Sequence, residues 1–347
     1  TKILAVKIGS DNSFSTSVHN SYDGILYAAI AGSDIINCSW GGTNRSSAEQ
    51  EIISSAEDMG AVVVAAAGNE ATEQGFFPAA YDNVLSVAAV DKNDEKAHFS
   101  NYHSTVDVSA PGVDIYSTIP YNPEIQDSSY DYLDGTSMAS PVAAGVAAMV
   151  RMNFPDYSPL QIVEQVKATT DDIDTLNYDY RGKIGSGRVN ALSAVTDKNA
   201  HSAIILDHKI IEQDGDEIID VSEKVEIKLS AMNVLAPIKD AKIESQVVSY
   251  YKPDFINDEL SLGDMNTGDT LAPDQTISFT LPEWLPLDYE YQVMLRILDE
   301  NGEVGRRIVT FIVRPSYRTV KANHIKTTFN SVGNIGFNDY PDNFQGE

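Results

Sequence analysis

The sequence of 347 residues predicts an α/β domain with a parallel sheet, followed by an all-β sandwich domain. Over residues 1–195, strand-like and helix-like stretches alternate, which is typical of a parallel sheet with helices on both faces. Several apolar runs there are continuous, as in strands that are buried on both faces. After residue 199 the helical pattern stops, and short strand-like runs separated by turn residues follow.

The elements of the first part follow from apolar spacing and from capping residues. Apolar positions at helical spacing predict a helix over Val18–Ala31. Ser46 opens a Ser-Ser-Ala-Glu capping signal and Gly60 supplies a stop, so a helix is expected up to about Met59. The remaining predicted elements are strands at Ile3–Ile8, Ile35–Ser39, Ala61–Ala67, Val84–Val90 and Val106–Ser109, and helices at Ser140–Met152 and Ser158–Thr169.

The second part contains six strand-like runs with turn clusters between them. The predicted strands are Ala203–Ile211, Lys224–Ala231, Ala241–Val248, Gln275–Leu281, Tyr291–Leu298 and Arg306–Val313. We therefore expect a first domain over residues 1–196 and a β-sandwich over residues 203–314. Residues 315–347 are predicted to be a tail or the start of a further module.

Composition and charge narrow the class of protein. Hydrophobic residues make up 42% and charged residues 22%, which excludes a fibrous or disordered chain. The net charge of −27 argues against nucleic acid and anionic membranes as partners, and no apolar run is long enough for a membrane span. The one cysteine, Cys38, excludes an internal disulfide and is expected to be a small buried hydrophobe. The oligomeric state cannot be read from the sequence.

The strongest chemical signal is the segment Gly135–Pro141, Gly-Thr-Ser-Met-Ala-Ser-Pro, ahead of a helix rich in Ala and Gly. Free N–H groups and the positive end of the helix dipole favour negative charge beside Ser137. The alternative interpretation is an ordinary capping serine, which is the more frequent role of a lone serine in this setting.

A second signal comes from the buried strand that ends in Gly68-Asn69-Glu70. Ligands bind beyond the carboxyl ends of parallel strands, and the Asn69 amide can donate a hydrogen bond to an oxyanion. Taken alone, Asn69 is more simply a turn residue.

Together these segments resemble the subtilisin-like serine proteases, the subtilase family, over residues 1–195. The resembling segments, in family order, are Leu4–Ile8, Ile36–Gly42, Ala65–Asn69, Phe77–Ala79, Ser109–Gly112, Gly135–Pro141 and Gly185–Ala191.

The resemblance implies a role for individual residues. Ser137 would be the nucleophile, and Asn69 would donate to the oxyanion together with the Ser137 backbone N–H. Ser39, Trp40 and Gly41 would pair with the peptide substrate as an added strand. The remaining residues implied to contact substrate are Ala67, Gly68 and Thr136.

The aspartate and histidine of the family's triad are missing from the motifs where they are expected. The six histidines are His19, His98, His103, His201, His208 and His324, and none lies in a His-Gly-Thr-His setting. Because both motifs precede the segment resembling residues 1–8 in the family, we expect this chain to be a fragment that starts after them. A non-catalytic peptide-binding or scaffold protein on the same fold is the alternative, and a macrocyclase or transpeptidase is a further one.

The resemblance implies no cofactor for the chemistry but leaves room for a structural Ca²⁺. The matching ligands would be the carbonyls of Ala79, Tyr81 and Val84 with Asp107, although Thr105 stands where a second acid is sometimes found. A second acidic group, Asp214-Gly215-Asp216 with Asp220, has a spacing compatible with calcium, but an acidic hairpin turn is the simpler interpretation.

Two further expectations concern the surroundings of this domain. Residues 121–134 are an insertion rich in Asp, Ser and Tyr. We interpret this insertion as a solvated loop, or alternatively as a lip over the substrate cleft. The β-module loosely resembles the immunoglobulin-like domains that follow peptidase domains in secreted bacterial proteins, and a bracing role is preferred for it. An extracellular or cell-surface bacterial protein with protein or peptide substrates is therefore expected.

Overall fold

The computed structural model describes residues 2–9, 18–119, 129–215, 218–322, 325–330 and 335–336. The chain divides into two compact units. The first unit contains residues 1–202 together with Val234–Ala236, and the second contains Ala203–Asn233 and residues 237–347. Within the described residues, no helix combines the length and hydropathy required to cross a membrane.

The first unit is an α/β domain. Its elements are α1 (Ser21–Ile30), β1 (Ile35–Cys38), α2 (Ser47–Asp58), β2 (Val62–Ala66), β3 (Val84–Val90), β4 (Val108–Pro111), β5 (Ile115–Thr118), β6 (Tyr130–Leu133), α3 (Thr136–Asn153), α4 (Pro159–Ala168), a short 3₁₀ helix (Tyr178–Tyr180) and α5 (Ala191–Thr196). Of these, β5, β6, the 3₁₀ helix and α5 were not predicted. Strands β1 to β4 form one parallel sheet in that order, as the sequence predicts. Strands β5 and β6 form a separate antiparallel hairpin.

The two faces of the parallel sheet bury different cores, because successive side chains of a strand point to opposite faces. In β2, Val62 and Val64 pack with side chains of α3 and α4. Val63 and Ala65 pack with side chains of α1 and α2 on the opposite face. All residues of β2 and β3 are buried, which explains their continuous apolar runs.

The strand predicted at Ile3–Ile8 is wrong. Residues 2–8 have no strand pairing, and Ile3 is 93% exposed. A strand requires a neighbouring backbone for its hydrogen bonds, and this segment instead lies against α1, where Gly24 leaves room for Ile8. Only Gly9 forms an isolated bridge, with Val18.

The second unit is built from antiparallel strands. They are β7 (Ala203–Ile211), β8 (Lys224–Asn233), β9 (Ile238–Val247), β10 (Asp254–Asn257), β11 (Glu259–Met265), β12 (Thr270–Leu271), β13 (Ile277–Thr280), β14 (Tyr289–Asp299), β15 (Gly302–Val313), β16 (Tyr317–Ala322), β17 (Ile325–Asn330) and β18 (Ile335–Gly336). One sheet has the order β10-β13-β8-β12 with β7 also paired to β8, and a second has the order β11-β9-β14-β15.

These two sheets share one hydrophobic core. Ile227 and Phe279 contribute from the first sheet, and Ile243 and Leu295 contribute from the second, all fully buried. The six predicted strands are all present, whereas β10, β11 and β12 were missed. Residues 317–336 add a three-stranded antiparallel sheet of β16, β17 and β18.

Candidate active site

Ser137 is the second residue of α3, so the structure places it inside the first helical turn. Gly135 is the residue that precedes this helix, which excludes the interpretation of Ser137 as its capping serine. Backbone N–H groups in a first turn lack an intrahelical acceptor, and the positive end of the helix dipole lies there. The Ser137 backbone N–H is therefore available to a negatively charged or carbonyl oxygen.

Asn69 lies beyond the end of β2 and is fixed by the residue next to Ser137. Its side-chain Oδ1 accepts hydrogen bonds from the backbone N–H and the Oγ1 of Thr136, both at 2.9 Å. Thr136 Oγ1 in turn accepts a bond from the Gly68 backbone N–H at 3.2 Å. The Thr136 side chain is fully buried, so it holds Asn69 in place and does not itself reach a substrate.

Gly135 separates the two candidate oxyanion donors. A Cβ added to this glycine would lie 3.5 Å from the backbone N of Ser137 and 3.7 Å from Nδ2 of Asn69. Both donors thus border the same point beside Gly135, which the Met138 sulfur also borders at 3.5 Å. Gly135 has a φ of 150°, which side chains rarely adopt, so the backbone conformation requires glycine.

A second glycine, Gly112, lies next to Gly135 at the start of α3 and holds its backbone. Its carbonyl accepts a hydrogen bond from the Gly135 backbone N–H at 2.8 Å. A Cβ on Gly112 would lie 2.6 Å from the Ala89 Cβ and 2.8 Å from the Gly135 carbonyl oxygen. Only glycine lets the end of β4 approach the start of α3 this closely.

The Ser137 hydroxyl is joined to the predicted substrate-binding segment. It donates to the Ser39 carbonyl at 3.2 Å, while the Ser39 hydroxyl donates to the Ser137 carbonyl at 2.9 Å. Sequence reasoning missed two residues that support this pair. The Asn37 amide donates to Ser39 Oγ at 3.0 Å, and Ser140 Oγ donates to Asn37 Oδ1 at 2.7 Å.

The other residues predicted to contact substrate lie in two neighbouring segments. Trp40 is half-buried, with its ring edge-on to Tyr22 at 5.4 Å, whereas Gly41 is exposed. A Cβ on Gly41 would lie 2.5 Å from the Phe77 carbonyl oxygen, next to the cis peptide bond between Phe77 and Pro78. Ala67 and Gly68 are buried at the end of β2. These segments are close to Ser137 and Asn69, and their contact with substrate stays a prediction.

Cys38 precedes Ser39 and is 1% exposed. Burial raises the pKa of its thiol to about 12, so the sulfur stays protonated at neutral pH. This environment suits the small buried hydrophobe that the sequence predicts.

No histidine of the described part of the chain is hydrogen-bonded to Ser137. His103 Nδ1 instead contacts Thr105 Oγ1 at 2.9 Å, and the His98 ring packs edge-on against Phe99. His19, His201 and His208 are also not hydrogen-bonded to Ser137. His324 falls outside the described residues. The described residues therefore bring together a hydroxyl and two oxyanion donors without a base.

The predicted calcium ligands Ala79, Tyr81, Val84 and Asp107 do not fit a metal well. Asp107 Oδ2 accepts the Ser86 backbone N–H at 2.9 Å, and its Oδ1 lies 3.2 Å from the Lys167 ammonium group. Both carboxylate oxygens are thus engaged, and a lysine already supplies the positive charge that Ca²⁺ would bring.

The acidic turn of the second unit is organised differently from the sequence prediction. Carboxylate oxygens of Glu212, Asp214 and Glu223 lie within 4.8 Å of one another. Glu212 accepts the backbone N–H groups of Asp214 and Gly215, as in a closed hairpin turn. Asp216 falls outside the described residues, and Asp220 bonds through its backbone N–H to Glu223.

Comparison with known proteins identifies relatives of the first unit. Residues 1–198 match the model of the subtilase family, Peptidase S8. The chain is 40% identical over 196 residues to a thermophilic serine proteinase of Bacillus sp. strain AK1, covering 56% of this chain and 46% of that protein. It is 42% identical over 193 residues to thermitase of Thermoactinomyces vulgaris, covering 56% of this chain and 64% of that protein.

Among solved structures, proteases from Pseudoalteromonas arctica PAMC 21717 share 36% identity at a TM-score of 0.46, covering 50% of this chain and 57% of theirs. The chain thus spans about half to two thirds of the length of the curated relatives that it matches. Because the family model covers more than half of its residues, the chain belongs to the subtilase family.

Proposed function

We propose that this chain is the nucleophile-bearing part of a secreted bacterial serine endopeptidase. The observation that carries the proposal is the space beside Gly135, which Ser137 N–H and Asn69 Nδ2 both border. Two N–H donors aimed at one point are what a tetrahedral oxyanion requires. The Ser137 hydroxyl belongs to the same helical turn, so a carbonyl carbon bound there lies within its reach.

The chemistry would be acyl transfer in two steps. Ser137 Oγ attacks the peptide carbonyl, a base takes its proton, and the carbonyl oxygen becomes negative between the two donors. The intermediate collapses to an ester on Ser137 as the leaving amine takes the proton. Water then hydrolyses the ester by the same route and regenerates the hydroxyl.

A histidine with an orienting aspartate would supply the base from sequence ahead of Thr1. Two facts support this. No histidine of the described residues contacts Ser137, and the match covers only 46% and 64% of the two relatives. In this chain alone Ser137 would be a weak nucleophile, because a free hydroxyl is almost wholly protonated at neutral pH. Residues 1–347 expressed alone are therefore expected to be inactive.

Substrate would bind as an added strand along Ser39, Trp40 and Gly41, with Ala67 and Gly68 lining the adjacent pocket. The peptidase part would span residues 1–196. Residues 203–314 would form an immunoglobulin-like sandwich, and the core that its two antiparallel sheets share supports this fold. The sandwich would brace the peptidase part outside the cell or at the cell surface.

Replacement of Ser137 tests the proposal in the complete protein with its upstream residues. Ser137→Ala should abolish both casein hydrolysis and labelling by a fluorophosphonate probe, with an unchanged circular dichroism spectrum. Ser47→Ala is the matched control, because it removes an exposed hydroxyl from the first turn of another helix, α2, outside the site, and should leave labelling in place. Undiminished labelling of Ser137→Ala would place the nucleophile elsewhere.

The same experiment separates the enzyme from the non-catalytic alternative. A peptide-binding scaffold would retain affinity for unfolded casein, yet neither the unmodified protein nor the Ser137→Ala variant would be labelled or would cleave it. That result would overturn the proposal even if residues 1–196 adopt this fold.

A further inference from the structure

The hairpin of β5 and β6 carries an exposed group of aromatic rings. Tyr116 lies opposite Tyr132 in the antiparallel register, and Tyr130 stands two residues before Tyr132 on the same face. The Tyr116 ring centroid is 4.8 Å from that of Tyr132 and 5.7 Å from that of Tyr130. The three residues are between 50% and 62% exposed, so the rings pack on one another while remaining open to solvent.

Among the described strands, none pairs with this hairpin to extend it into a larger sheet, so its aromatic rings are exposed without the support of a sheet. A two-stranded hairpin is at best marginally stable in water, and neighbouring exposed rings mark interaction sites. Every residue of β6 is exposed, and Ile115 is the only residue of β5 that is not. The aromatic face is therefore available to a ligand.

The charge around the rings defines the chemistry of that ligand. Asp114 and Asp134 are exposed at the base of the hairpin, whereas Asp131 is opposite Ser117 and points to the face away from the rings. The sequence contains no Lys, Arg or His between His103 and Arg151. A cation is attracted both by carboxylates and by the faces of tyrosine rings, so this surface favours lysine and arginine side chains.

The base of the hairpin directly precedes Gly135, the residue next to the two candidate oxyanion donors. Asp134 Oδ1 accepts the Asp114 backbone N–H at 2.7 Å, and the next residue, Gly135, borders both oxyanion donors. Leu133 is four residues from Ser137, a separation of at most about 14 Å along an extended chain. A peptide with its scissile bond at Ser137 therefore has the hairpin within a few residues.

We propose that this hairpin selects peptide substrates with basic side chains on the leaving-group side of the scissile bond. The inference rests on the proposed function, in which the acyl side of the substrate occupies Ser39, Trp40 and Gly41. The leaving side then extends past Gly135 toward Tyr132, where a lysine or arginine meets the rings of Tyr116 and Tyr132.

Binding to the 347-residue chain tests the surface without requiring catalysis. The probes are two fluorescein-labelled pentapeptides, Ala-Lys-Ala-Lys-Ala and its norleucine analogue, followed by fluorescence anisotropy. The lysine peptide should bind about three- to tenfold more tightly, the gain expected from a cation–π contact with an added ion pair. Sodium chloride at 0.5 M should reduce that preference.

Variants locate the site. The double variant Tyr116→Ser, Tyr132→Ser should reduce the lysine preference, and these exposed positions are not needed for the core. Tyr178→Ser, which removes a tyrosine that is 78% exposed elsewhere in the same unit, should leave the preference unchanged. A preference that is absent, or that survives the double variant, would overturn the inference.

The complete protein distinguishes failure of this inference from failure of the proposed function. If the lysine peptide binds through the tyrosines but Ser137 is never labelled by fluorophosphonate, the surface stands and the endopeptidase proposal falls. If Ser137 is labelled but cleavage is indifferent to lysine on the leaving side, the endopeptidase proposal stands and the hairpin inference falls.

Discussion

At the scale of single residues, the site depends on one asparagine that is held by one buried threonine. Asn69→Ala in the complete protein should lower kcat by about 100–1,000-fold with little change in KM, because the lost donor acts mainly on the transition state. Steady-state kinetics with a peptide anilide gives both constants. A raised KM with an unchanged kcat would make Asn69 a binding or turn residue.

Thr136→Val is the companion variant, because it removes the Oγ1 contacts to Asn69 and Gly68 and retains the backbone bond to Asn69. It should lower kcat less than Asn69→Ala does, and should cost about 1–2 kcal/mol of stability through the unpaired buried groups.

The sequence points to Ser137 and Asn69 because each lies in a short local motif, and the structure brings the two motifs together; their roles stay predictions. It could not predict the roles of Asn37, Ser140 and Thr136, because those are hydrogen bonds between segments far apart in the chain. Ser39 and Ser137, for example, are 98 residues apart. Periodicity and local motifs contain no information on such pairs, and only the folded sheet brings them together.

At the scale of elements, the close approach of β4 to α3 positions the first turn of α3, which carries Ser137. Gly112→Ala should destabilise the first unit by about 1–3 kcal/mol, because its Cβ meets Ala89 and the Gly135 carbonyl. Gly145→Ala is the matched control within α3, where a Cβ meets nothing within 4 Å and should stabilise the helix by roughly 0.5–1 kcal/mol. Urea denaturation measures both, and equal effects would contradict this account.

A lysine on α4 links that helix to the residue before β4. Lys167 Nζ is 2.7 Å from Glu164 and 3.2 Å from Asp107, and Glu164 is buried. Burial alone would lower the pKa of Lys167, but the two carboxylates outweigh it and raise the pKa above its ordinary value. The stabilisation is therefore complete at neutral pH and is lost only as the pH rises through the raised pKa.

Lys167→Met should cost about 3 kcal/mol at pH 7, since it leaves two carboxylates without their cation. Lys183→Met, which breaks a pair with the single carboxylate of Glu73, should cost less than about 1 kcal/mol. Denaturant titration of the two variants compares them directly, and similar losses would show that the second carboxylate near Lys167 is unimportant.

Elements with strong burial were predictable, and short or unpaired ones were not. Strand β3 has the predicted bounds because both of its faces are buried and its apolar run is continuous. Strands β10 and β12 were missed since they are short, and β11 was missed since most of its residues are exposed or half-buried, so neither periodicity nor apolar content marks them. The segment Ile3–Ile8 has strand-like composition without a pairing partner, and composition cannot reveal that difference.

At the scale of the whole molecule, each unit has cores of its own. The first unit buries side chains on both faces of a parallel sheet, and the second buries them between antiparallel strands. The net charge of −27 reflects acidic residues in both units. The surface charge governs solubility and choice of partner, whereas the apolar cores of the two units govern folding.

The separate cores predict two unfolding transitions in differential scanning calorimetry of the 347-residue chain. Leu85 on β3 and Leu295 on β14 are both fully buried, and truncation of a buried leucine to alanine costs about 2–5 kcal/mol. Leu85→Ala should therefore lower one transition by roughly 5–15 °C and leave the other in place, and Leu295→Ala should do the converse. If one cooperative transition moves in both variants, the stability of each unit depends on the other and the division into independent folding units is wrong.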